Sequence, residues 1–446
     1  MSKSSQRLII NTLLCLLLAA ELFLLCLANQ HKDQPAIAEA APEPQTFWVS
    51  GRVVSVSSQS FLLRDDKGLA SSFTLPQEEQ QDMQPGCRVS LGYQQENGQR
   101  RIIQLHVSQP SLEERAQLLL ERMTLEEKIG QLLLARCPAQ DGAVWVEKLQ
   151  LGGYILFDRD FQGHSPEQLR ADIASYQQSA KLGLFIAVDE EGGSVVRASR
   201  YTAFRESPFA SSQKLYAQGG FTAIADDARE KCQLLQALGV NLNLAPVADV
   251  STDSRDFIYS RSFGQGGAET AAYVQTVVEI MEQEHFGSVL KHFPGYGSNK
   301  DTHNGAAYDQ RPYESFLSQD FLPFQAGIRS GATMVMVSHN TVCCMDAEHP
   351  ASLSPAVIRI LREELGFSGI IITDDLAMAA AKNPGSEYST AVQAVLAGND
   401  MLCSSDFAQQ YQELLAAAQN GVISQEQLDR SVLRILAAKL ALGIIR

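Results

Sequence analysis

The chain of 446 residues contains no CxxC pair and no HExxH, which removes the common thiolate zinc sites and the zinc-hydrolase helix. Its eight cysteines (Cys15, Cys26, Cys87, Cys137, Cys232, Cys343, Cys344 and Cys403) show no metal-ligand spacing, and most read as small core residues. Basic residues are in deficit: 36 Lys and Arg stand against 51 Asp and Glu, for a formal charge of -15. That balance speaks against nucleic acid as a partner, since such proteins carry a basic face. No glycine-rich nucleotide loop lies near the first apolar run of the main region, which disfavours an open doubly wound sheet. No cofactor and no metal are called for.

What is present starts with MSKSSQR, a basic stub, followed by an almost wholly apolar run over residues 8–28. A helix needs about 20 such residues to span the hydrocarbon of a bilayer. Residues 1–30 therefore read as a signal peptide or membrane anchor, with membrane contact through this segment only. The positive-inside rule places the remainder outside the cytoplasm, anchored or secreted at a bacterial cell surface. Residues 31–45, rich in Ala, Pro and Glu, form a linker. Residues 46–108 alternate in strand fashion around RDDKG and ENG turns and predict a small all-β domain, with a little barrel as one form of it. No cluster of exposed aromatics there points to a carbohydrate-binding face, and a structural spacer is the favoured role.

From about residue 111 to 446 helical periodicity takes over, with a capping box expected at Thr124. Eight short apolar runs follow: LLLAR, YILF, LFIAVD, NLNLAP, SVLKHF, ATMVMV, GIIITD and NDMLC. Amphipathic segments separate most of them. The fold class expected is α/β, a (β/α)8 TIM-like barrel preceded by the small β domain and the hydrophobic segment. Barrel chemistry sits at the C-terminal ends of the strands. The polar residues at these exits are therefore read together: Asp158; Asp189, Glu190 and Glu191; Asp249; Lys291 and His292; His339; Asp374 and Asp375; Asp400 and Ser404.

The richest exit is KHFPGYGSNKDTHNG, residues 291–305. Gly295 and Gly297 permit backbone angles or close approaches that other residues resist. Asp301 and His303 are one residue apart, so in an extended loop they face the same way. An aspartate there holds a histidine's orientation and tautomer, and such a histidine can give a proton to a leaving group and take one back from water. A metal site built on His292, Asp301 and His303 competes, but Lys291 among them disfavours a cation. GIIITDD supplies an aspartate, Asp374, at the end of a rigid strand. A carboxylate nucleophile with a separate proton donor describes a retaining glycosidase, here with a histidine in the donor's place.

These residues resemble glycoside hydrolase family 3, and within it the β-N-acetylglucosaminidase branch. The resemblance covers residues 111–446 and rests on MTLEEKIGQLLL, AVDEEGGSVVR, LAPVADV, RSFG, KHFPGYGSNKDTHNG and ASLSPAVIRILREELGFSGIIITDDLAMAA. It implies Asp374 as nucleophile and His303 with Asp301 as the acid/base dyad. It implies substrate contacts from Asp189, Arg197, Arg261, Lys291 and His292. The partner implied is an N-acetylglucosamine-containing glycan, cleaved with retention. The alternatives weighed are a β-glucosidase or β-xylosidase of the same family and a non-catalytic wall-binding scaffold. Tyr296 departs from the family, which commonly has histidine or another polar residue there, and SNK after it departs too.

Overall fold

Short aliphatic runs build the parallel strands of the larger unit, whereas the strands of the smaller unit alternate apolar and polar residues. The computed structural model describes residues 17–25, 45–75, 83–96, 98–299, 302, 307–381 and 386–445. It divides into two units, Met1–Gln109 and Pro110–Arg446.

The first unit is a five-stranded antiparallel sheet. Its strands are β1 (Thr46–Val56), β2 (Ser60–Asp65), β3 (Ala70–Thr74), β4 (Arg88–Glu96) and β5 (Gln99–Ser108), in the order β3-β2-β1-β4-β5. Alternation sends Val53, Phe61, Leu63, Phe73, Val89 and Leu91 to one buried face, with Leu75, Met83 and Cys87. In the RDDKG turn, Asp65 Oδ1 accepts from the backbone N–H groups of Lys67 and Leu69, at 3.0 and 2.8 Å.

The expected membrane contact through the N-terminal segment is overturned. Among the described residues no helix is long and apolar enough to cross a membrane. The described part of the apolar run is a helix over residues 17–25, with Leu17, Leu18, Leu22, Phe23, Leu24 and Leu25 exposed.

The second unit opens on two capped helices, Leu112–Leu120 and Leu125–Gln131. The expected capping box is present: Thr124 Oγ1 accepts from Glu127 N at 3.3 Å, and Glu127 Oε2 accepts from Thr124 N at 2.9 Å. The sheet that follows consists of β6 (Leu133–Arg136), β7 (Gly153–Leu156), β8 (Phe185–Val188), β9 (Leu242–Asn243), β10 (Gly287–Phe293), β12 (Met334–Val337), β14 (Ile370–Thr373) and β15 (Leu402–Ser404). Each of the eight apolar runs supplies one strand. All neighbours pair in parallel, in the order β14-β12-β10-β9-β8-β7-β6-β15. A bridge between Ile372 and Met401 nearly closes the circle, as the expected barrel requires. A minor pair, β11 (Tyr308–Asp309) and β13 (Thr341–Val342), lies outside this sheet.

The barrel strands are buried along their length, because helices such as Ser212–Ala237, Gly267–Gln283 and Gln425–Ala441 lay apolar faces against them. This is why these strands read as continuous apolar runs rather than as alternation.

One strand exit is reassigned. Asp400 precedes β15 rather than following it, so it lies at the strand's entry. Its carboxylate is fully buried and engages Arg362, Arg434, Ser431 and the N–H of Ile371. It closes the barrel seam and takes no part in the mouth.

Candidate active site

All eight strands send residues to one cavity of about 690 Å³ at their C-terminal ends. Arg136, Phe157, Asp189, Leu244, Lys291, Met336, Asp374 and Cys403 come from successive exits, joined by Arg197, Arg261, His292 and Tyr296. Six of the eight expected site residues therefore share a wall: Asp189, Arg197, Arg261, Lys291, His292 and Asp374. Asp301 and His303 lie outside the described residues.

The three acids of AVDEEGG do different work. Asp189 Oδ1 accepts from Lys291 Nζ at 2.7 Å, and its other oxygen lies 3.7 Å from Arg197. Glu190 turns inward, fully buried, and accepts from the N–H groups of Arg197 and Ala198 at 2.9 and 2.8 Å and from the Ser199 hydroxyl. It folds the loop that presents Arg197. Glu191 holds Lys291 at 2.6 Å and takes a two-pronged contact from Arg261 at 2.7 and 3.0 Å.

Burial alone would neutralise these groups. It pushes the Glu191 carboxyl up, but Lys291 and Arg261 overrule it and hold the acid well below the usual carboxylate range. For Lys291 burial favours loss of the proton, and Asp189 and Glu191 reverse that, so the ammonium is retained. Burial works against the Arg261 guanidinium too, and Glu191 more than compensates.

Asp249 organises the next segment. It is fully buried. Its Oδ2 accepts from His292 Nδ1 at 2.7 Å and from His292 N at 3.0 Å, and its Oδ1 accepts from Tyr296 N at 2.8 Å. A carboxylate at Nδ1 puts the ring proton there. Nε2 then sits 3.4 Å from Arg261 Nη2.

The glycines of PGYG have steric reasons. Gly295 has φ +120, and a Cβ there would lie 2.3 Å from Asp320 Oδ1. A Cβ on Gly297, at φ +51, would lie 2.5 Å from the Arg311 guanidinium carbon. Arg311 in turn bonds Asp309, Asp320 and the Gly295 carbonyl, bracing the turn from behind.

Tyr296 is buried. Its ring meets His292 edge-on at 5.1 Å and Phe257 at 5.2 Å, and its hydroxyl lies 2.6 Å from Thr302 Oγ1. Burial first, then the charge of Asp374, push the phenol's pKa up, so the hydroxyl keeps its proton.

The two acids of TDD separate cleanly. Asp374 is half-buried; its N–H donates to the Val337 carbonyl at 2.9 Å, and its Oδ1 accepts from Asp375 N at 2.8 Å. The Asp375 carboxylate is bound by the Ser405 hydroxyl and by the N–H groups of Ser405 and Ala377. His339 Nε2 reaches the Asp375 carbonyl at 3.0 Å. Asp375 is a brace for the strand end.

Residues 124–438 match the family described as "Glycosyl hydrolase family 3 N terminal domain". The chain belongs to glycoside hydrolase family 3.

It is an enzyme of that family, related to bacterial β-hexosaminidases and β-N-acetylglucosaminidases. A β-hexosaminidase of Xanthomonas campestris pv. campestris (strain B100) is 35% identical over 247 residues, which is 54% of this chain and 73% of that relative. A solved family 3 β-N-acetylglucosaminidase from Paenibacillus sp. str. FPU-7 superposes with a TM-score of 0.67 at 31% identity, covering 72% of this chain and 63% of that one. A β-N-acetylhexosaminidase from Beutenbergia cavernae DSM 12333 gives 0.62 at 26% identity, over 71% of this chain and 98% of that one.

Glu191, Asp249 and Tyr296 carry more of this family 3 pocket than sequence reading assigned them. The first two stood among the strand-exit acids. Nothing in one dimension told which cation each would face.

Proposed function

We propose that this family 3 enzyme removes terminal β-linked N-acetylglucosamine from peptidoglycan fragments or related oligosaccharides, with retention of configuration. In this reading Asp374 attacks the anomeric carbon. His303, oriented by Asp301, protonates the glycosidic oxygen as it leaves. The resulting imidazole then takes a proton from water, which opens the glycosyl-enzyme. Lys291, Arg197 and Arg261 donate to sugar oxygens, Asp189 accepts from a sugar hydroxyl, and His292, its ring proton held by Asp249, offers Nε2 as an acceptor. An extracytoplasmic site of action, reached by export, belongs to the same proposal.

The observation that carries it is the position of Asp374. It ends a rigid strand in the same cavity as five sugar-binding candidates, while its neighbour Asp375 is occupied as a brace. The activities named for the Xanthomonas and Paenibacillus relatives agree with it. A panel of chromogenic glycosides tests it. Cleavage of the N-acetyl-β-glucosaminide, abolished in Asp374→Ala and His303→Ala, is expected. Preference for a plain glucoside overturns the substrate assignment. Trapping of a 2-fluoro sugar on Asp375 overturns the nucleophile.

A further inference from the structure

The small sheet carries a built surface on the face opposite its core. Strands β1, β4 and β5 align three rows of outward residues: Trp48, Gly92 and Gln104; Ser50, Ser90 and His106; Arg52, Arg88 and Ser108. The last row extends onto β2 through Arg64, opposite Arg52.

Trp48 is 64% exposed. Its six-membered ring covers Gly92, where a Cβ would lie only 3.2–3.3 Å from three ring carbons. The absence of a side chain at Gly92 lets the indole lie down on the sheet, leaving its other side open. Large aromatic surface held this way is a contact surface rather than core. At the other end of the strip, Arg64, Arg52 and Arg88 stand directly side by side on three adjacent strands, roughly 5 Å apart. Like charges directly opposite one another weaken a sheet. Arg88 is relieved by Asp66 at 3.0 Å, and Arg52 too is engaged in an interaction. A chain with a formal charge of -15 nevertheless spends three cations here, on a face that folding alone does not require to be basic. Between the two ends lie the paired hydroxyls of Ser50 and Ser90 and the imidazole of His106. Trp48 and Arg52 are four positions apart, roughly 13 Å along an extended strand.

We infer that this face binds a carboxylate-bearing glycan strand, with one sugar ring stacked on Trp48 and an acidic substituent at the arginine row. An open indole fits the C–H face of a pyranose, the central hydroxyls fit its oxygens, and the guanidiniums fit a carboxylate. The strongly acidic chain as a whole disfavours the dense phosphate charge of nucleic acid. The choice of a glycan leans on the barrel's proposed activity, and the two readings fail separately. Turnover of a small chromogenic substrate tests the barrel, and polymer binding tests the sheet.

The experiment uses the full chain. Only two tryptophans are present, so in a Trp145→Phe background Trp48 fluorescence reports occupancy directly. Purified insoluble peptidoglycan, neutral chitin and duplex DNA serve as probes, with co-sedimentation as the second measurement. The expected result is a spectral shift with soluble peptidoglycan fragments and sedimentation with the insoluble polymer. Sedimentation weakens by about tenfold or more in Trp48→Ala and in Arg52→Gln/Arg88→Gln, and small-substrate turnover stays unchanged in both. Sedimentation equal to wild type in both variants overturns the proposal. A Trp48 shift as large with DNA overturns the glycan assignment. Equal binding of neutral chitin and peptidoglycan by the wild type overturns the anionic part.

Discussion

The Tyr296 hydroxyl lies 2.6 Å from that of Thr302, and both side chains are buried. Thr302 is the residue between Asp301 and His303, the proposed proton-transfer pair. The same tyrosine stands edge-on to His292 at the barrel mouth and donates its backbone N–H to Asp249. Tyr296→Phe removes one oxygen and leaves Thr302 without that partner, a loss of about 1–3 kcal/mol for a buried polar group. The expected outcome is a kcat reduced by about tenfold or more with a nearly unchanged KM, because sugar contacts survive and proton transfer is mispositioned. Steady-state kinetics on a chromogenic N-acetylglucosaminide checks it. A change in KM alone contradicts it.

Glu191 touches two buried cations, at 2.6 Å from Lys291 and 2.7 Å from Arg261. Glu191→Gln keeps the shape and removes the charge. Breaking one member out of a buried ion network costs about 3–5 kcal/mol. The variant should unfold at markedly lower urea and lose most of its kcat/KM. A variant of normal stability and activity would show that Asp189 alone suffices for Lys291.

Asp374 and Asp375 are adjacent, yet their expected phenotypes differ in kind. Asp374→Asn should abolish turnover, by about 10³-fold or more, with the fold intact. Asp375→Asn should chiefly loosen the strand end through Ser405 and Ala377, lowering the thermal midpoint and leaving measurable turnover. Paired melts and kinetics separate the two, and the reverse pattern would exchange the roles.

Lys439 is fully buried beneath the barrel, donating to Gln131 Oε1 at 2.6 Å. Burial pushes its pKa down to about 7. In the unfolded chain the amine titrates near about 10.4. Between these values the unfolded chain holds the proton and the folded one does not, so stability rises with pH through that window, by up to about 1.4 kcal/mol per pH unit. The loss on lowering pH is complete once the folded amine is itself protonated, below about 7. Urea unfolding at pH 7.0 to 9.0, in roughly half-unit steps, should show this slope in wild type and a flatter one in Lys439→Met. Identical slopes would remove Lys439 as the source.

The barrel was legible because its strands are buried on both sides and surface in the sequence as eight separate apolar runs. Asp374 was legible for the same reason, as the polar residue directly after GIII. Asp400 was misread because it stands ahead of the apolar letters of NDMLC, at the start of the run and not at its end, and β15 begins only at Leu402. The division of labour in DEE was not legible, since it depends on Lys291 and Arg261, far along the chain. The sheet face around Trp48 was missed because Gly92 and the arginines adjoin it only through cross-strand register. The membrane reading of residues 8–28 rested on hydropathy of the run, and among the described residues no helix is long and apolar enough to cross a membrane.

The Asp189–Lys291–Glu191–Arg261 chain has a consequence for how a sugar is received. Each charge in it already faces its opposite at 2.6–2.7 Å, so the four side chains hold one another in place without outside ions. Under the proposed function, a neutral pyranose meets donors and acceptors that are already fixed, and the charges stay where they are. Salt screens over about 8 Å in physiological solution, but it does not reach pairs enclosed in this way. The geometry of this wall is accordingly expected to be the same in dilute and in saline surroundings.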